Sequence, residues 1–374
     1  MEKVSIARCG SYQHDDIITA LKRLLAPFGG MESFVKPGMQ VLLKPNMLAA
    51  RKPEEAVTTH PALVGAVVQL VRNAGGTALV GDSPGIGSFA KVGDKSGICK
   101  AVELAGGQMI AFDKTRTISG GSTFRSMELA RAYCDADLVI NLPKLKTHEM
   151  MTLTCAVKNL FGAVVGPAKA GLHLTAGHSK QLFARLLLEI ASARPVALTI
   201  VDGITAMEGN GPSSGTPLHL GVLLAGENPV AVDTVAARIA GIEQKHLPVE
   251  QEAARLEMPG SSLKQIELLG EQIQMPLQKA FKLPEGLDLH FGIPGFLKPL
   301  LRNQLSQLPV ADLKLCQLCG ICRDACPPQA ITIKNNTLKV DKEHCIRCWC
   351  CRELCPYHAM KLRKGFLLRI LNSK

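Results

Sequence analysis

The sequence predicts an α/β protein: a large α/β domain with a mostly parallel sheet, followed by a small α+β domain. Over residues 1–260, short apolar segments alternate with helical stretches, the order that gives a parallel sheet covered by helices. The chain has 374 residues, of which 47% are hydrophobic, so it can form two domains with a sizeable core. Beyond residue 310 the composition changes, because cysteines become frequent.

The predicted elements of the large domain follow from apolar runs and the residues that bound them. Pro61 stands at the first position of a helix, where a missing N–H is tolerated, and Gly75 and Gly76 end that segment. Asn228 and Pro229 begin another helix as N-cap and first residue. We expect strands at 4–7, 41–43, 77–80, 108–112, 137–142, 196–201 and 218–225, and helices at 15–25, 61–72, 96–105, 152–161, 178–193 and 229–241.

Composition also sets the expected domain boundaries. We predict the large domain at 1–260, a Pro-rich connector at 261–308, a cysteine-rich domain at 309–364 and a basic, apolar tail at 365–374. The tail resembles an amphipathic helix of a membrane surface, but we expect it to dock on the large domain instead. No apolar run reaches the length of a membrane span, and the first residues lack the apolar core of a signal peptide. We therefore expect a cytoplasmic protein.

The cysteine repeat is the most specific signal in the chain. Residues 316–327 read CQLCGICRDACP and residues 345–356 read CIRCWCCRELCP, so both runs have the spacing C-x2-C-x2-C-x3-C-P. In this spacing the first three thiolates of a run wrap one cubane cluster, and the fourth reaches the other cluster. We therefore expect two [4Fe-4S] clusters. The first has the ligands Cys316, Cys319, Cys322 and Cys355, and the second has Cys345, Cys348, Cys351 and Cys326.

Zinc and disulfides are the alternative uses of these cysteines. Zinc takes four ligands per ion, usually as two CxxC pairs, and two identical four-cysteine runs closed by proline match this poorly. Disulfides belong to small secreted proteins. Cys350 departs from the repeat, and we interpret it as a thiol that is not a ligand. Over about residues 310–364 the pattern resembles the bacterial two-cluster ferredoxin module, which implies a bacterial ferredoxin-like fold and electron transfer.

The formal net charge of +11 does not by itself indicate nucleic-acid binding. Cations near thiolate-ligated clusters offset negative charge and tune the reduction potential. A basic surface also suits an acidic redox partner protein, which we expect as electron donor or acceptor. With three Tyr, one Trp and no recognised reader motif, the chain has little means of stacking on or reading bases.

Polar side chains follow four of the predicted strands. In open α/β sheets, ligands bind beyond the carboxyl ends of the strands, and several cations there are costly unless an anion is near. We therefore expect a small ligand with a carboxylate or phosphate, although the lysines could also extend into solvent. The predicted proton-transfer residues are Lys144, Lys146 and His148; the predicted ligand-binding residues and counter-charges are Lys44, Asn46, Asp82, Asp202 and Glu208. We interpret His173 and His178 as surface or capping residues.

Six motifs occur in an order that resembles the family called domain of unknown function 362. They are KPN (44–46), GDSPG (81–85), LPKLKTH (142–148), AVKNLFG (156–162), DGITAMEGNGP (202–212) and NPVAVDTVAARIAG (228–241). The resemblance covers most of residues 1–245 and implies an iron–sulfur protein of anaerobic-type metabolism, without naming a reaction. It adds Lys158, Asn159 and Asn210 to the candidate ligand-binding residues.

Three functions are compatible with these observations. The first is an oxidoreductase, in which the clusters pass electrons between a partner protein and a small anionic ligand. The second is a binding and electron-delivery module that docks a client redox enzyme and has no turnover of its own. The third is a non-redox enzyme, such as an isomerase, whose clusters are structural.

Overall fold

The structure is a computed structural model that describes residues 1–85, 87–166, 168–177, 179–284 and 307–365. Residues 285–306 of the predicted connector and 366–374 of the predicted tail, together with His178, lie outside these residues. Within the described part of the chain, no helix is long and apolar enough to cross a membrane.

The large domain is built on one ten-stranded sheet. Its strands are β1 (Glu2–Arg8), β2 (Gln40–Pro45), β3 (Thr77–Val80), β4 (Gln108–Met109), β7 (Leu138–Leu142), β8 (Lys144–His148), β9 (Thr152–Thr154), β10 (Leu198–Glu208), β11 (Thr216–Gly226) and β12 (Ile266–Gly270). The order is β12-β1-β11-β10-β7-β2-β3-β4, with β8 pairing β10 and β9 pairing β8. The run from β10 to β4 is parallel throughout, whereas β11 is antiparallel to both of its neighbours. The prediction of an α/β fold with a mostly parallel sheet is confirmed.

Helices cover both faces of this sheet. They are α1 (His14–Leu25), α2 (Pro61–Asn73), α3 (Phe89–Lys95), α4 (Ile98–Leu104), α5 (Arg131–Asp135), α6 (Ala156–Asn159), α7 (Ala168–Ala176), α8 (Lys180–Ala193), α9 (Pro229–Ile239) and α10 (Pro248–Arg255). Along β2, Val41 and Leu43 pack into the core beneath α1 and α2, while Leu42 packs into the core beneath α8. This alternation follows from the two-residue period of a strand and explains why central strands are apolar on both faces.

Two of the segments that differ from the predicted secondary structure bear on the site and on the extent of the large domain. The helix expected at 152–161 is wrong over its first residues, because Thr152–Thr154 form β9; Ala156–Asn159 are α-helical and Leu160–Ala163 form a 3-10 helix. Here tertiary pairing overrides helical propensity, because β9 forms an antiparallel ladder with β8. Strand β12 lies in the stretch predicted as a connector and pairs in parallel with β1, so the sheet of the large domain extends beyond residue 260.

A separate hairpin, β5 (Thr115–Ser119) with β6 (Ser126–Ala130), lies between β4 and α5. The cysteine-rich domain contains β13 (Gln307–Ala311) paired with β16 (Met360–Lys364), and β14 (Ile331–Lys334) paired with β15 (Thr337–Val340). Each cysteine run also forms one short helix, α11 (Ile321–Asp324) in the first and α12 (Cys350–Glu353) in the second.

The two cysteine runs repeat in backbone geometry as well as in sequence. Gly320 precedes α11 with φ 81°, and Trp349 precedes α12 with φ 64°. The left-handed region costs a residue with a Cβ roughly 1–2 kcal/mol, so Trp349 needs a compensating contact. Its side chain is 1% exposed and packs in the core cluster of the large domain that contains Phe183. The second cysteine run is therefore anchored in the large domain.

Candidate functional site

Two buried lysine–carboxylate pairs form the base of the site, where the strands of the sheet end. Lys44 Nζ lies 2.7 Å from Asp82 Oδ1, and Lys144 Nζ lies 2.9 Å from Asp202 Oδ2. Burial lowers the pKa of both lysines, and the adjacent carboxylates oppose that shift. Tyr12 donates to Asp202 Oδ1 at 2.7 Å and accepts from Lys144 at 2.9 Å. The structure thus brings these four predicted residues together and adds Tyr12.

Lys146 has a different environment from its neighbours. Its Nζ donates to Asn46 Oδ1 at 2.9 Å and to the Val57 carbonyl at 2.5 Å, and among the described residues it forms no ion pair with a carboxylate. Burial, reinforced by the positive charges of Lys158 and Lys144, lowers its pKa to about 7. A lysine of this kind can exchange a proton near neutral pH.

Side-chain amides fix the position of Lys146. Asn46 donates through Nδ2 to Asn159 Oδ1 at 2.9 Å, which leaves its own oxygen directed at Lys146. Asn159 in turn donates to the Lys44 carbonyl at 3.1 Å and to Asn141 Oδ1 at 2.9 Å. The predicted residues Asn46 and Asn159 therefore belong to one buried network.

Helix α6 carries Asn159 and Lys158, and a buried carboxylate holds its first turn. Asp233 accepts from the backbone N–H groups of Ala156 at 2.6 Å and Val157 at 3.0 Å. These bonds satisfy donors that a helix start leaves unpaired. Lys158 Nζ lies 5.8 Å from the ring centre of Phe161, and burial lowers its pKa.

His148 lies at the end of β8 and is 1% exposed. Its Nδ1 accepts from the backbone N–H groups of Met150 at 3.1 Å and Met151 at 3.2 Å, so the proton of the neutral ring is on Nε2. Nε2 lies 3.2 Å from Oε1 of Glu353 in α12. Burial and the charge of Lys158 lower the pKa of His148 well below its usual range, whereas burial raises the pKa of Glu353.

Helix α7 brings two further basic side chains to the site. Lys169 donates to the carbonyls of Ser83 and Pro84, and burial lowers its pKa to about 8. His173 stacks on Phe183 with ring centres 4.3 Å apart, and burial lowers its pKa to about 3. The interpretation of His173 as a surface or capping residue is wrong, because α7 packs against α8 and turns this ring inward.

Two candidate residues lie elsewhere. Glu208 ends β10, accepts from the backbone N–H of Lys282 at 2.8 Å and lies 3.6 Å from Lys282 Nζ, so its carboxylate pairs with the chain beyond the sheet and not with Lys144 or Lys146. Asn210 lines a separate cavity of about 410 Å³ between the two domains, together with Ser213, Arg352 and His358.

The eight repeat cysteines line two pockets in the cysteine-rich domain. One pocket has Cys316, Cys319, Cys322 and Cys355 in its wall, and the other has Cys326, Cys345, Cys348 and Cys351, with Cys350 beside them. Each set combines three thiols of one run with the fourth of the other. Soft thiolates in apolar walls suit an iron–sulfur cluster. Among the described residues, no group of three or more His, Cys, Asp or Glu side chains is arranged to hold a single metal ion.

Equivalent hydrogen bonds reach one sulfur in each run. The backbone N–H of Ala330 donates to Cys326 Sγ at 3.3 Å, and that of Ala359 donates to Cys355 Sγ at 3.3 Å. Hydrogen bonds to sulfur are among the features that tune the potential of a bound cluster.

Helix α12 joins the second pocket to the strand-end site. Arg352 Nη1 lies 2.7 Å from Glu149 Oε1, next in sequence to His148. Ser213 Oγ donates to the Glu353 carbonyl at 2.9 Å. Consequently the helix that contains Cys351 also contributes Glu353 to the site of the large domain.

Comparison with known proteins identifies both domains. A family model described as Domain of unknown function (DUF362) matches residues 41–238, more than half of the chain. The chain belongs to the DUF362 family. The resemblance drawn from the six motifs is thereby confirmed. A second model, described as a 4Fe-4S dicluster domain, matches residues 308–356 of this DUF362 chain, which makes it an iron–sulfur protein with a ferredoxin-type domain.

Two individual proteins resemble this DUF362 chain. The thylakoid-associated protein sll1697 of Synechocystis sp. is 37% identical over 304 residues, covering 81% of this chain and 94% of the relative. The lactate racemase apoprotein from Thermoanaerobacterium thermosaccharolyticum aligns in structure with a TM-score of 0.43 and 13% identity, covering 64% of this chain and 57% of that chain.

Proposed function

We propose that this DUF362 protein is an iron–sulfur oxidoreductase. Two [4Fe-4S] clusters pass electrons between a redox partner protein and a small anionic ligand bound at the strand ends. The observation that carries the proposal is the position of α12, which contains Cys351 at one cluster pocket and Glu353 at 3.2 Å from His148.

The expected cluster ligands are the two sets of four cysteines that line the two pockets. When bound, such clusters supply electrons one at a time. The residues around His148 supply the other requirements of such a reaction, which are cations that bind an anion and groups that hold protons. Lys146 is the best placed of these, since its buried ammonium forms no ion pair with a carboxylate of the described residues and its pKa is about 7.

The two pockets differ in their access to solvent, and this difference supports an assignment of which pocket faces the partner protein and which faces the ligand. Cys319 in the first pocket is exposed, whereas Cys345, Cys348 and Cys351 in the second are buried. Leu313, three residues before Cys316 in the sequence, is 62% exposed. In the proposal, the partner protein docks at the first pocket and the ligand binds beside the second.

The test uses protein purified without oxygen in three forms: wild type, Lys146→Met, and Lys95→Met as a control that removes an exposed lysine. Each is reduced with dithionite, separated from excess reductant and mixed with the small-molecule fraction of a cell extract. Reoxidation is followed by the visible absorbance of the clusters. We expect wild type and Lys95→Met to reoxidise at the same rate, and Lys146→Met to be at least about 100-fold slower, the usual scale of general acid–base catalysis.

Equal rates in wild type and Lys146→Met would overturn redox chemistry at the strand-end site. The electron-delivery module would then be the better explanation, and recovery of one redox enzyme with the protein from an anaerobic extract would support it. Native mass spectrometry of the same samples counts the clusters directly, and a mass corresponding to zinc would refute the assignment of the cysteines.

A further inference from the structure

The strand-end site contains more buried positive groups than negative ones. Its lysines are Lys44, Lys144, Lys146, Lys158 and Lys169, and its carboxylates are Asp82, Asp202 and Glu353. Three of the lysines have 1% exposure or less, and the other two are partly buried. Uncompensated charges are costly at such depth.

Pairing of the charges leaves three lysines without a carboxylate. Asp82 pairs with Lys44 and Asp202 pairs with Lys144, while Glu353 contacts the ring of His148. Among the described residues, the remaining lysines, Lys146, Lys158 and Lys169, form no ion pair. The surplus is two positive charges when every lysine and every carboxylate of the site is ionised.

Lys146 and Lys169 also retain hydrogen-bond donors. An ammonium group has three N–H donors. Lys146 uses two of them, on Asn46 Oδ1 and the Val57 carbonyl, and Lys169 uses two on the carbonyls of Ser83 and Pro84. All four acceptors are neutral, so each lysine keeps a charge and a donor for a ligand.

An independent observation comes from His173. Its Nδ1 is buried and has no hydrogen-bond partner among the described residues. Phe183 covers one face of the ring and Phe161 meets it edge-on, so the orientation of the ring is fixed. Lys158 is close enough to lower its pKa further. A polar atom held rigidly beside an unpaired lysine indicates a ligand contact there.

We infer that the ligand of the proposed function is a dianion, either a phosphate group or a dicarboxylate, bound by Lys146, Lys158 and Lys169. This inference rests on the proposed function and specifies the class of its ligand. A dianion balances the surplus of two positive charges, whereas a monoanion leaves one buried cation without a counter-charge.

Proton uptake is the distinguishing consequence. Lys146 faces Lys158, Lys144, Glu353 and Asp82, and without a ligand its pKa is about 7. Lys169 faces Asp82, Lys44 and Lys158, with a pKa of about 8. A bound dianion raises both values, because an opposite charge favours the protonated amine. Near pH 8, binding should therefore take up about one proton per chain.

The experiment is calorimetric titration of the full, cluster-loaded protein near pH 8. The probes are sulfate, which represents a phosphate group and does not itself titrate there, and malonate; nitrate and acetate are the matched monoanions. Each titration is repeated in two buffers of different ionisation enthalpy, which reports the protons taken up. We expect at least one dianion to bind about 10-fold or more tightly than its matched monoanion, since one more paired charge is worth at least 1.4 kcal/mol.

The variants locate the binding. Lys146→Met and Lys169→Met should each weaken dianion binding about 10-fold or more and reduce proton uptake, whereas Lys95→Met should not. Sulfate and malonate distinguish a phosphate ligand from a dicarboxylate. Equal binding of monoanions and dianions without proton uptake would overturn the dianion assignment. By contrast, the failure of every anion to bind wild type would overturn the ligand site of the proposed function itself.

Discussion

Oε1 of Glu353, in the cysteine-rich domain, lies 3.2 Å from Nε2 of His148, in the large domain. The contact joins the end of β8 to the helix that also contains Cys351. Arg352 precedes Glu353, Glu149 follows His148, and these two neighbours form an ion pair of their own. Two adjacent residues of α12 therefore contact the large domain. One short helix thus joins the strand-end site to the second cysteine pocket, which is the arrangement that the proposed electron transfer requires.

Adjacent cysteines should respond differently to substitution. Cys351→Ser removes an expected ligand of the second cluster and should lower the iron content by about four per chain, the content of one cubane cluster. Cys350→Ser should leave the iron content unchanged, because the repeat has no ligand at that position. Iron and acid-labile sulfide, measured on protein purified without oxygen, check both. Loss of iron from Cys350→Ser would show that this thiol is a ligand.

Removal of the clusters should release Trp349, which is the only tryptophan of the chain. Its left-handed backbone, φ 64°, directly precedes α12, and in the proposed function cluster ligation at Cys351 holds that helix in place. After treatment with an oxidant and a chelator, we expect the fluorescence emission maximum to move to longer wavelength as the indole meets water. The wavelength is the proper measure, since clusters also quench intensity. An unchanged maximum in protein free of iron would show that packing in the large domain holds Trp349 in place without the cluster.

The sequence predicted those parts of the site that lie within a few residues of a strand. Side chains alternate between the two faces of a strand, so Lys144, Lys146 and His148 of β8 lie on the same face. Parallel pairing of β2 with β3 then brings Lys44 to Asp82. Both relationships depend on local pattern and sheet topology, which the alternation of strands and helices indicates.

The remaining contacts could not be predicted because they join distant segments without a repeating pattern. Tyr12 and Asp202 are 190 residues apart in sequence. Asp233 lies in α9 and caps α6. In the sequence it looks like any other carboxylate of a helix, so nothing marks it as a cap. Glu353 offered no signal at all, since nothing in the cysteine repeat shows which face of α12 meets the large domain. The helix predicted at 152–161 began too early for a related reason, because pairing with β8 makes Thr152–Thr154 a strand.

The buried pair of Lys44 and Asp82 should be essential for stability. Asp82→Asn leaves an unpaired buried cation, which costs about 3–5 kcal/mol, while the amide oxygen can still accept from Met47 as Asp82 does at 2.8 Å. We expect the midpoint of thermal unfolding to fall by roughly 10 °C. The double variant Lys44→Met, Asp82→Asn should lose less than Asp82→Asn alone, because no charge is then left unpaired.

Asp135→Asn is the matched control for this substitution. Asp135 also forms ion pairs, with Arg116 and Arg131, but it does so on the surface. Exposed pairs contribute little, so the midpoint should hardly change. If Asp135→Asn and Asp82→Asn shift the midpoint equally, burial of the Lys44 pair is not the cause of the loss.

Lys146 should make the stability of the protein depend on pH with a definite sign. Its pKa is about 7 in the folded chain, against 10.5 for a lysine in the unfolded chain. Below about pH 7 both states carry the proton, and the cost of burying the charge, on the order of 5 kcal/mol, is fully present. Between the two pKa values the unfolded state binds more protons, so the stability of the wild type rises with pH.

Lys146→Met removes this dependence. Its hydrophobic side chain leaves Asn46 Oδ1 and the Val57 carbonyl without a donor, a loss of about 1–3 kcal/mol for each that does not change with pH. We therefore expect the unfolding midpoint of Lys146→Met, relative to that of wild type, to be higher near pH 6.5 than near pH 9.5. Unfolding midpoints measured without oxygen at both pH values check this, with Lys95→Met as the control that should follow the wild type. A constant difference between the two pH values would mean that Lys146 keeps an ordinary pKa, and it could not then serve as the proton-exchanging group of the site.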